Sequence, residues 1–234
     1  MIIDLLLDII YPLRCSFCKE IISRGSKFFL CNMCQEKVKF IKNGCEICGK
    51  SLITGYEHIC TDCRINKHEF ERCISAVEYR DEVKYALIKY KFFGKKPLVN
   101  TFTELIIDKV KEFSDIDMIV GVPMYILKYK QRGFNQTEIL AKAISKKMRI
   151  PYFNGILTKV KNTKSQSVLS RKKRLMNLKD AFKVMDNTKI TNKNILIVDD
   201  IYTTGATASE CATCLKKAGA SNVYVLTIAS GKGY

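Results

Sequence analysis

Eight of the eleven cysteines, all within residues 15–63, form four Cys-x-x-Cys pairs, and twelve, ten and eleven residues separate successive pairs. Cys211 and Cys214 have the same spacing but lie within a predicted helix, where they are expected to pack against the sheet. Two residues between cysteines let a tight turn aim both thiolates at one ion. Two such pairs complete a tetrahedral four-sulfur site, the usual structural zinc arrangement. The spacing therefore predicts two structural zinc sites, whose ligands are Cys15, Cys18, Cys31, Cys34, Cys45, Cys48, Cys60 and Cys63.

The pairs can share ions in two ways. Consecutive pairs would give two stacked ribbons, which we favour, and alternating pairs would give a cross-brace. A redox role is disfavoured because no pair opens a helix in a thioredoxin-like β-α-β setting. His58 and His68 are expected at the surface, since the cysteine set is already complete. About 60 residues with so little apolar pattern cannot bury an adequate core, so metal binding should supply folding free energy.

A second chemical pattern lies at residues 195–207, Ile-Leu-Ile-Val-Asp-Asp-Ile-Tyr-Thr-Thr-Gly-Ala-Thr. An apolar strand delivers Asp199 and Asp200 to the carboxyl edge of a sheet, where open α/β folds bind ligands. The Thr/Gly turn then opens a helix, so backbone N–H groups, threonine hydroxyls and the positive helix end form a cradle for a phosphate monoester. The carboxylates would accept hydrogen bonds from sugar hydroxyls, directly or through Mg²⁺.

This stretch closely resembles the 5-phosphoribosyl-1-pyrophosphate (PRPP) motif of type I phosphoribosyltransferases, although Tyr202 replaces a small aliphatic residue common in that class. Further segments narrow the resemblance: Tyr90-Lys91-Phe92-Phe93-Gly94, Val120-Gly121-Val122-Pro123, Arg132-Gly133-Phe134-Asn135-Gln136, and then Thr163, Gln166, Leu169, Arg171, Arg174, Asn177 and Ala181-Phe182. Together with the cysteines, these segments resemble the ComF family (ComFC), competence-associated phosphoribosyltransferase-like proteins, over nearly the whole chain.

The resemblance implies roles for individual residues. Asp199, Asp200 and Arg132 would be catalytic, with both aspartates also able to hold Mg²⁺. Lys159 occupies a position where relatives commonly have Arg, so it would contact pyrophosphate as a point charge rather than bidentately. The segment from Thr163 to Asn177 corresponds to a flexible loop that closes over the site. The residues expected to bind PRPP are Pro123, Arg132, Lys159, Arg174, Asp199, Asp200, Thr203, Thr204, Gly205, Ala206 and Thr207.

The pattern of elements agrees with this fold. Helical spacing of apolar residues predicts helices at 81–91, 102–113, 136–148 and 208–218, and apolar runs predict strands at 74–79, 118–123, 194–198 and 223–229. Strands that alternate with helices imply an α/β fold with a mostly parallel sheet covered on both faces. A composition break near residues 64–75 divides the chain into an N-terminal helix and double zinc ribbon, residues 1–70, and a phosphoribosyltransferase-like domain, residues 71–234.

Composition and charge limit the function classes. An apolar fraction of 47% excludes a disordered or fibrous chain. No apolar run approaches the roughly 18 to 20 residues that span a bilayer, and the apolar start, residues 1–11, carries Asp4 and Asp8. A cytoplasmic protein without a transmembrane segment is expected. The net charge is +17, of which +15 belongs to residues 75–234, and such an excess favours a phosphate-rich partner or a solvated basic face.

Two functions fit these observations. The first is a phosphoribosyltransferase that binds PRPP with Mg²⁺, with an acceptor that no residue pattern identifies. The second is a non-catalytic protein that senses PRPP or binds single-stranded DNA, for which Tyr125, Tyr129 and Phe134 could stack on bases. The family resemblance implies service in DNA uptake during natural transformation, with a competence helicase or other DNA-uptake proteins as partners.

Overall fold

The structure, a computed structural model, describes residues 11–53, 57–93, 96–163 and 171–233. The helix predicted at residues 1–11 therefore falls, except for its last residue, outside the described part. Within those ranges, no helix combines the length and apolar character needed to cross a membrane.

The described helices and strands alternate as the sequence predicts. The helices are α1 (Asn32–Lys37), α2 (Thr61–Ile65), α3 (Asp81–Phe93), α4 (Lys96–Val110), α5 (Ile126–Arg132), α6 (Gln136–Met148), α7 (Arg171–Leu178) and α8 (Ala206–Lys217). The strands are β1 (Ser51–Leu52), β2 (Arg72–Glu78), β3 (Met118–Gly121), β4 (Leu157–Lys159), β5 (Phe182–Val184), β6 (Asn194–Tyr202), β7 (Asn222–Ser230) and β8 (Lys232–Gly233).

Four parallel strands form the central sheet in the order β2-β7-β6-β3. Two predicted boundaries differ from the structure by four residues or more, and the others by no more than three residues. Strand β6 does not end at Val198 but continues to Tyr202, because β7 remains paired with it as far as Ser230. Helix α4 begins at Lys96 rather than near Phe102. The antiparallel pair β4–β5 lies outside this sheet.

The alternation of side chains along the strands divides the core between the two faces of the sheet. Leu196, Val198 and Leu226 pack with the buried residues of α3, α4 and α6. Ile195, Ile197 and Val225 pack with α8 and the β4–β5 pair. Both faces of the sheet are thus covered by helices, as expected for parallel strands.

The cysteine-rich segment crosses the edge of the sheet at β2. Cys15 and Cys34 belong to the core on the α3–α4 face, whereas Cys45, Cys48, Cys60 and Cys63 belong to the core on the α8 face. The crossing segment pairs with β2: the Ile41 N–H donates to the Ala76 carbonyl over 2.9 Å, and the Glu78 N–H donates to the Lys39 carbonyl over 2.9 Å. These bonds satisfy an edge strand that would otherwise be open to association. The division at residue 70 stays a prediction.

Candidate functional site

The eight paired cysteines form two clusters of four. Cys15, Cys18, Cys31 and Cys34 form one, and Cys45, Cys48, Cys60 and Cys63 form the other, with the sulfur atoms of each cluster within 4.8 Å of one another. The predicted consecutive pairing is therefore confirmed, and the cross-brace is wrong.

The sulfur geometry of both clusters fits a tetrahedral zinc ion. The Cys18 and Cys31 Sγ atoms are 3.6 Å apart, as are those of Cys48 and Cys60. Zinc–sulfur bonds of about 2.3 Å place ligand sulfurs roughly 3.8 Å apart in a tetrahedron. These are two four-cysteine sites of the zinc-ribbon type. In the second cluster, hydrogen bonds to Cys45 and Cys48 raise the pKa of the Cys63 thiol, so a bound cation would be needed to hold all four sulfurs as thiolates.

Asp199 and Asp200 lie within β6, near its carboxyl end, and differ in their surroundings. Asp200 is 4% exposed, and both of its carboxylate oxygens have partners. Oδ2 accepts a hydrogen bond from Gln136 Nε2 over 2.9 Å, and Oδ1 lies 3.3 Å from Lys91 Nζ. Asp199 is half-buried, and its Oδ1 accepts the backbone N–H of Asp200 over 2.8 Å. The donor set fits Mg²⁺, a hard ion that prefers oxygen ligands, with Asp199 less engaged than Asp200.

The segment from Arg132 to Gln136 links the Asp200 carboxylate to the Arg132 guanidinium. Gly133 ends α5 in the left-handed conformation, at φ 81°, and the Asn135 side chain caps α6 by accepting the Thr137 N–H. Gln136, the first residue of α6, then accepts a 2.8 Å hydrogen bond from Arg132 Nη1 at Oε1 while its Nε2 reaches Asp200. The turn and the cap thus set the position of Arg132 relative to the aspartate.

These groups line one open cavity of about 620 Å³ at the carboxyl edge of the sheet. Its floor is formed by the two aspartates and the threonines that follow β6. Among the described residues, four cationic side chains line it: Lys91, Lys128, Arg132 and Lys159. Tyr79, Ile88, Phe92 and Ile201 supply an apolar wall. The volume suits a small phosphorylated molecule.

The charges within the cavity perturb one another. Withdrawal from water and the neighbouring Asp200 raise the pKa of Asp199 to about 7. Burial lowers the pKa of Lys159, and repulsion from Lys128 lowers it further. Burial also opposes the charge on Lys91, but attraction to Asp200 and Asp199 raises the pKa of its ammonium overall. Such opposed shifts in one cleft are typical of ligand-binding and catalytic sites.

The loop after β6 is held against the rest of the protein. Gly205 caps α8 in the left-handed conformation, at φ 76°, and a Cβ there would clash with the Tyr202 hydroxyl. Tyr202 is buried, and its hydroxyl lies 3.3 Å from His68 Nε2. His68 is therefore not the surface residue expected from the sequence, because its ring packs on Phe70 and against this loop.

The structure brings together most of the residues expected to bind PRPP. Asp199, Asp200, Arg132, Lys159, Thr203, Thr204 and Thr207 line the cavity. Gly205 and Ala206 line a small neighbouring recess that shares Thr203 and Thr207 with the cavity. Pro123 lines another adjacent recess, which shares Lys159 with the cavity. The side chain of Arg174 lies outside the described residues, as do residues 164–170 of the predicted closing loop.

Sequence reasoning assigned no role to Gln136, Lys91, Lys128 or His68. Gln136 and Lys91 belong to quoted motifs, so their positions were visible, but only the folded chain places them against Asp200. Lys128 is one lysine among many in a basic chain. His68 lies between the last cysteine pair and β2, where no local pattern points to α8.

The fold and the cysteine sites define a class. The chain is an α/β protein with a parallel sheet flanked by helices and a double zinc ribbon at its N-terminus, as predicted. Residues 6–64 match the family model of the double zinc ribbon domain.

Relatives that match over most of the chain narrow the similarity to particular proteins. The chain is 27% identical over 226 residues to competence protein F of Haemophilus influenzae, covering 94% of this chain and 97% of that protein. It is 26% identical to the DNA utilization protein YhgH of Escherichia coli, over 92% of this chain and 95% of YhgH. Competence protein ComFC of Bacillus subtilis is 28% identical, over 81% of this chain and 79% of ComFC. The predicted resemblance to the ComF family is confirmed.

Solved structures with a similar chain trace include two phosphoribosyl enzymes. The glutamine PRPP amidotransferase of B. subtilis, complexed with ADP and GMP, has a TM-score of 0.40 and 20% identity. That match covers 60% of this chain and 30% of the amidotransferase chain. Adenine phosphoribosyl transferase of Trypanosoma brucei, in complex with AMP, pyrophosphate and ribose-5-phosphate, has a TM-score of 0.39 and 15% identity, covering 59% of this chain and 55% of the enzyme.

Proposed function

We propose that the protein binds PRPP with Mg²⁺ in the cavity at the carboxyl edge of the sheet. The observation that carries the proposal is the convergence of an aspartate pair, a threonine-rich loop opening a helix, and four cations on one cavity of about 620 Å³. The 5-phosphate would bind residues 203–207 and the start of α8, where N–H groups lack helical partners. Asp199 and Asp200 would bind the ribose hydroxyls, and Arg132 and Lys159 the pyrophosphate.

The arrangement suits transfer of the phosphoribosyl group. The bond between the ribose anomeric carbon and pyrophosphate would break while a bond to the acceptor forms, so positive charge develops on the ring and negative charge on the leaving group. Arg132 and Lys159 would stabilise the leaving group. Mg²⁺, when bound, would neutralise phosphate charge. Asp199 or Asp200, the carboxylates of the cavity, would accept the proton that the acceptor loses.

Calorimetry on the zinc-loaded protein tests the proposal. PRPP should bind in the presence of Mg²⁺, and the Asp199→Asn/Asp200→Asn double variant should lose at least tenfold in affinity while keeping its zinc. Consumption of PRPP in the presence of candidate acceptors, lost in Asp200→Asn, would establish catalysis. Binding without consumption would leave a PRPP sensor, and absence of binding by the wild type would refute the proposal.

The cellular role we infer is service in DNA uptake during natural transformation, in the cytoplasm, together with a competence helicase or other DNA-uptake proteins. The support is the full-length similarity to proteins named competence protein F and ComFC. An H. influenzae strain that lacks competence protein F should regain transformation when it carries this chain, but not when it carries the double aspartate variant. Equal rescue by both would contradict a role for the cavity.

A second candidate function is the binding of single-stranded DNA, which the surface of α5 favours. Tyr129 is 39% exposed, stands between Lys128 and Lys130 in the sequence, and lines a recess that shares Lys159 with the cationic cavity. Aromatic rings among cations bind single strands by stacking and backbone contact. Affinity for an oligothymidine should therefore fall steeply with salt, because each neutralised phosphate releases counterions, and Tyr129→Ala should weaken it. An affinity that does not change with salt concentration would show that this surface does not bind single-stranded DNA.

A further inference from the structure

We propose that His68 is a positioning residue for the phosphate loop, so that the second zinc ribbon holds residues 203–209 in their binding conformation. The inference rests on the proposed function only for its PRPP readout. In this proposal the second zinc ribbon takes part in shaping the ligand site and is more than a separate domain attached to it.

His68 bridges two parts of the loop with both of its ring nitrogens. Nε2 lies 3.3 Å from the Tyr202 hydroxyl, at the last residue of β6. Nδ1 lies 3.2 Å from Ser209 Oγ, in the first turn of α8. The backbone N–H of Ser209 in turn donates to the Gly205 carbonyl over 2.8 Å. One imidazole therefore fixes the separation between the start of the loop and the helix that follows it.

The loop itself is closed beneath this bridge. A Cβ on Gly205 would clash with the Tyr202 hydroxyl and would stand 2.8 Å from His68 Cε1. The glycine backbone thus lies directly under both side chains. Tyr202, the departure from the small residue usual in the motif, is the residue that makes this contact, and His68 is its partner from the ribbon.

The packing of the second zinc ribbon restrains the position of His68. His68 follows Cys63 by five residues and stacks on Phe70, with 4.8 Å between ring centroids and 16° between ring planes. Phe70, the four cysteines of the second cluster, Tyr202, Ala206 and Ala208 share one buried core. Zinc in the second cluster fixes the chain on one side of His68, and β2 fixes it on the other. A rigid ring between two fixed segments can position a loop.

Three variants separate positioning from packing. His68→Ala removes both contacts, Tyr202→Phe removes only the hydroxyl, and the matched control His58→Ala changes an exposed histidine of the same ribbon, 78% of whose side chain is in solvent. A half-buried hydrogen-bonded bridge contributes about 1 kcal/mol, so His68→Ala should weaken PRPP binding about fivefold. His68→Gln should recover part of the loss, because its amide can replace one ring nitrogen.

Amide hydrogen exchange gives a readout that needs no PRPP. Residues 203–209 should exchange about fivefold faster in His68→Ala than in the wild type, and by a smaller factor in Tyr202→Phe, with two zinc ions retained per chain. His58→Ala should exchange like the wild type. If PRPP does not bind the wild type, the proposed function fails, and exchange alone decides the role of His68. Unchanged exchange and unchanged affinity in His68→Ala, with zinc retained, would overturn the inference.

Reciprocity supplies an independent test. If the ribbon orders the loop, then a ligand that orders the loop must tighten the ribbon by the same factor. Competition with a chromogenic chelator at equilibrium measures the zinc affinity of each cluster, and PRPP with Mg²⁺ should tighten the site that Cys60→Ser eliminates but not the site that Cys18→Ser eliminates. In His68→Ala this tightening should disappear. Equal tightening of both sites, or none in the wild type, would contradict the coupling.

Discussion

At the scale of single residues, the site depends on how buried charges are partnered. Gln136 is the junction, because its amide binds Arg132 on one side and Asp200 on the other, while the Tyr90 hydroxyl donates to its backbone carbonyl over 2.6 Å. An amide suits this position, since it donates to a carboxylate and accepts from a guanidinium at once.

Replacing Gln136 by Leu should destabilise the protein and weaken PRPP binding. Leucine has a similar volume but leaves a buried Asp200 oxygen without its donor, which costs roughly 1 to 3 kcal/mol. Urea unfolding and calorimetry measure the two effects. Gln131→Leu, at an exposed position of α5, is the control and should change stability by less than about 0.5 kcal/mol. Equal stabilities of the two variants would show that the amide bridge contributes nothing.

Asp199 should make the stability of the Mg²⁺-free protein fall as pH rises. Its pKa is about 7 in the folded state and about 4 when unfolded. The contribution of the protonated carboxyl to the free energy of unfolding is therefore fully present below about pH 4. It is lost as pH rises through 7. Asp199→Asn removes this loss, so the variant should exceed the wild type in stability at pH 8 by roughly 2 to 4 kcal/mol and by less at pH 5. Denaturant unfolding at both pH values measures the difference, and a constant difference would contradict the shifted pKa.

At the scale of elements, the junction of β6, loop and α8 is the feature on which binding depends. The strand brings the aspartates to the sheet edge, the loop turns through Gly205, and the helix starts with its positive end toward the cavity. Both the turn and the close contact with Tyr202 need a residue without a side chain.

Gly205→Ala should therefore lower the free energy of unfolding by more than a glycine substitution that introduces backbone strain alone. Gly155 offers the matched comparison, because it has φ 74°, close to the 76° of Gly205, but a Cβ there would meet nothing within 4 Å. Gly155→Ala should cost about 1 kcal/mol, whereas Gly205→Ala adds a clash with Tyr202 and should cost at least 1 kcal/mol more and lose PRPP binding. Thermal unfolding and calorimetry measure both, and equal costs would mean that the clash is relieved without effect.

At the scale of the whole molecule, the two zinc ribbons are not equivalent. They lie on opposite faces of the sheet edge: the first shares its core with α3, α4 and α6, and the second shares its core with α8. All four cysteines of the second cluster are buried, whereas Cys18 of the first is exposed. The second ribbon also receives the chain end, through the parallel pairing of β1 with β8.

Loss of the second site should consequently be the more damaging. Cys60→Ser should lower the melting temperature by at least twice as much as Cys18→Ser, and each variant should keep about one zinc per chain by elemental analysis. Cys60→Ser opens a cluster whose four cysteines are all buried, whereas Cys18→Ser removes the exposed ligand of the first cluster. Equal melting temperatures would show that the second ribbon folds independently of the sheet.

The sequence by itself determined the features that local spacing encodes. Cys-x-x-Cys pairs predicted the zinc ligands, and the apolar run before Asp199 with the threonines after it predicted a strand, a phosphate loop and a helix. Alternation of strands and helices predicted the parallel sheet. Each signal lies within a few turns of chain, so residue type and spacing suffice to read it.

Only the tertiary structure decided which distant residues meet. The pairing of cysteines into consecutive clusters, the contact of Gln136 and Lys91 with Asp200, and the reach of His68 to Tyr202 and Ser209 join segments 12 to 141 residues apart. Such contacts are set by the packing of both sheet faces and by the crossing of the ribbons at β2. Because a side chain gains these partners only when the whole core has formed, no local pattern in the sequence predicts them.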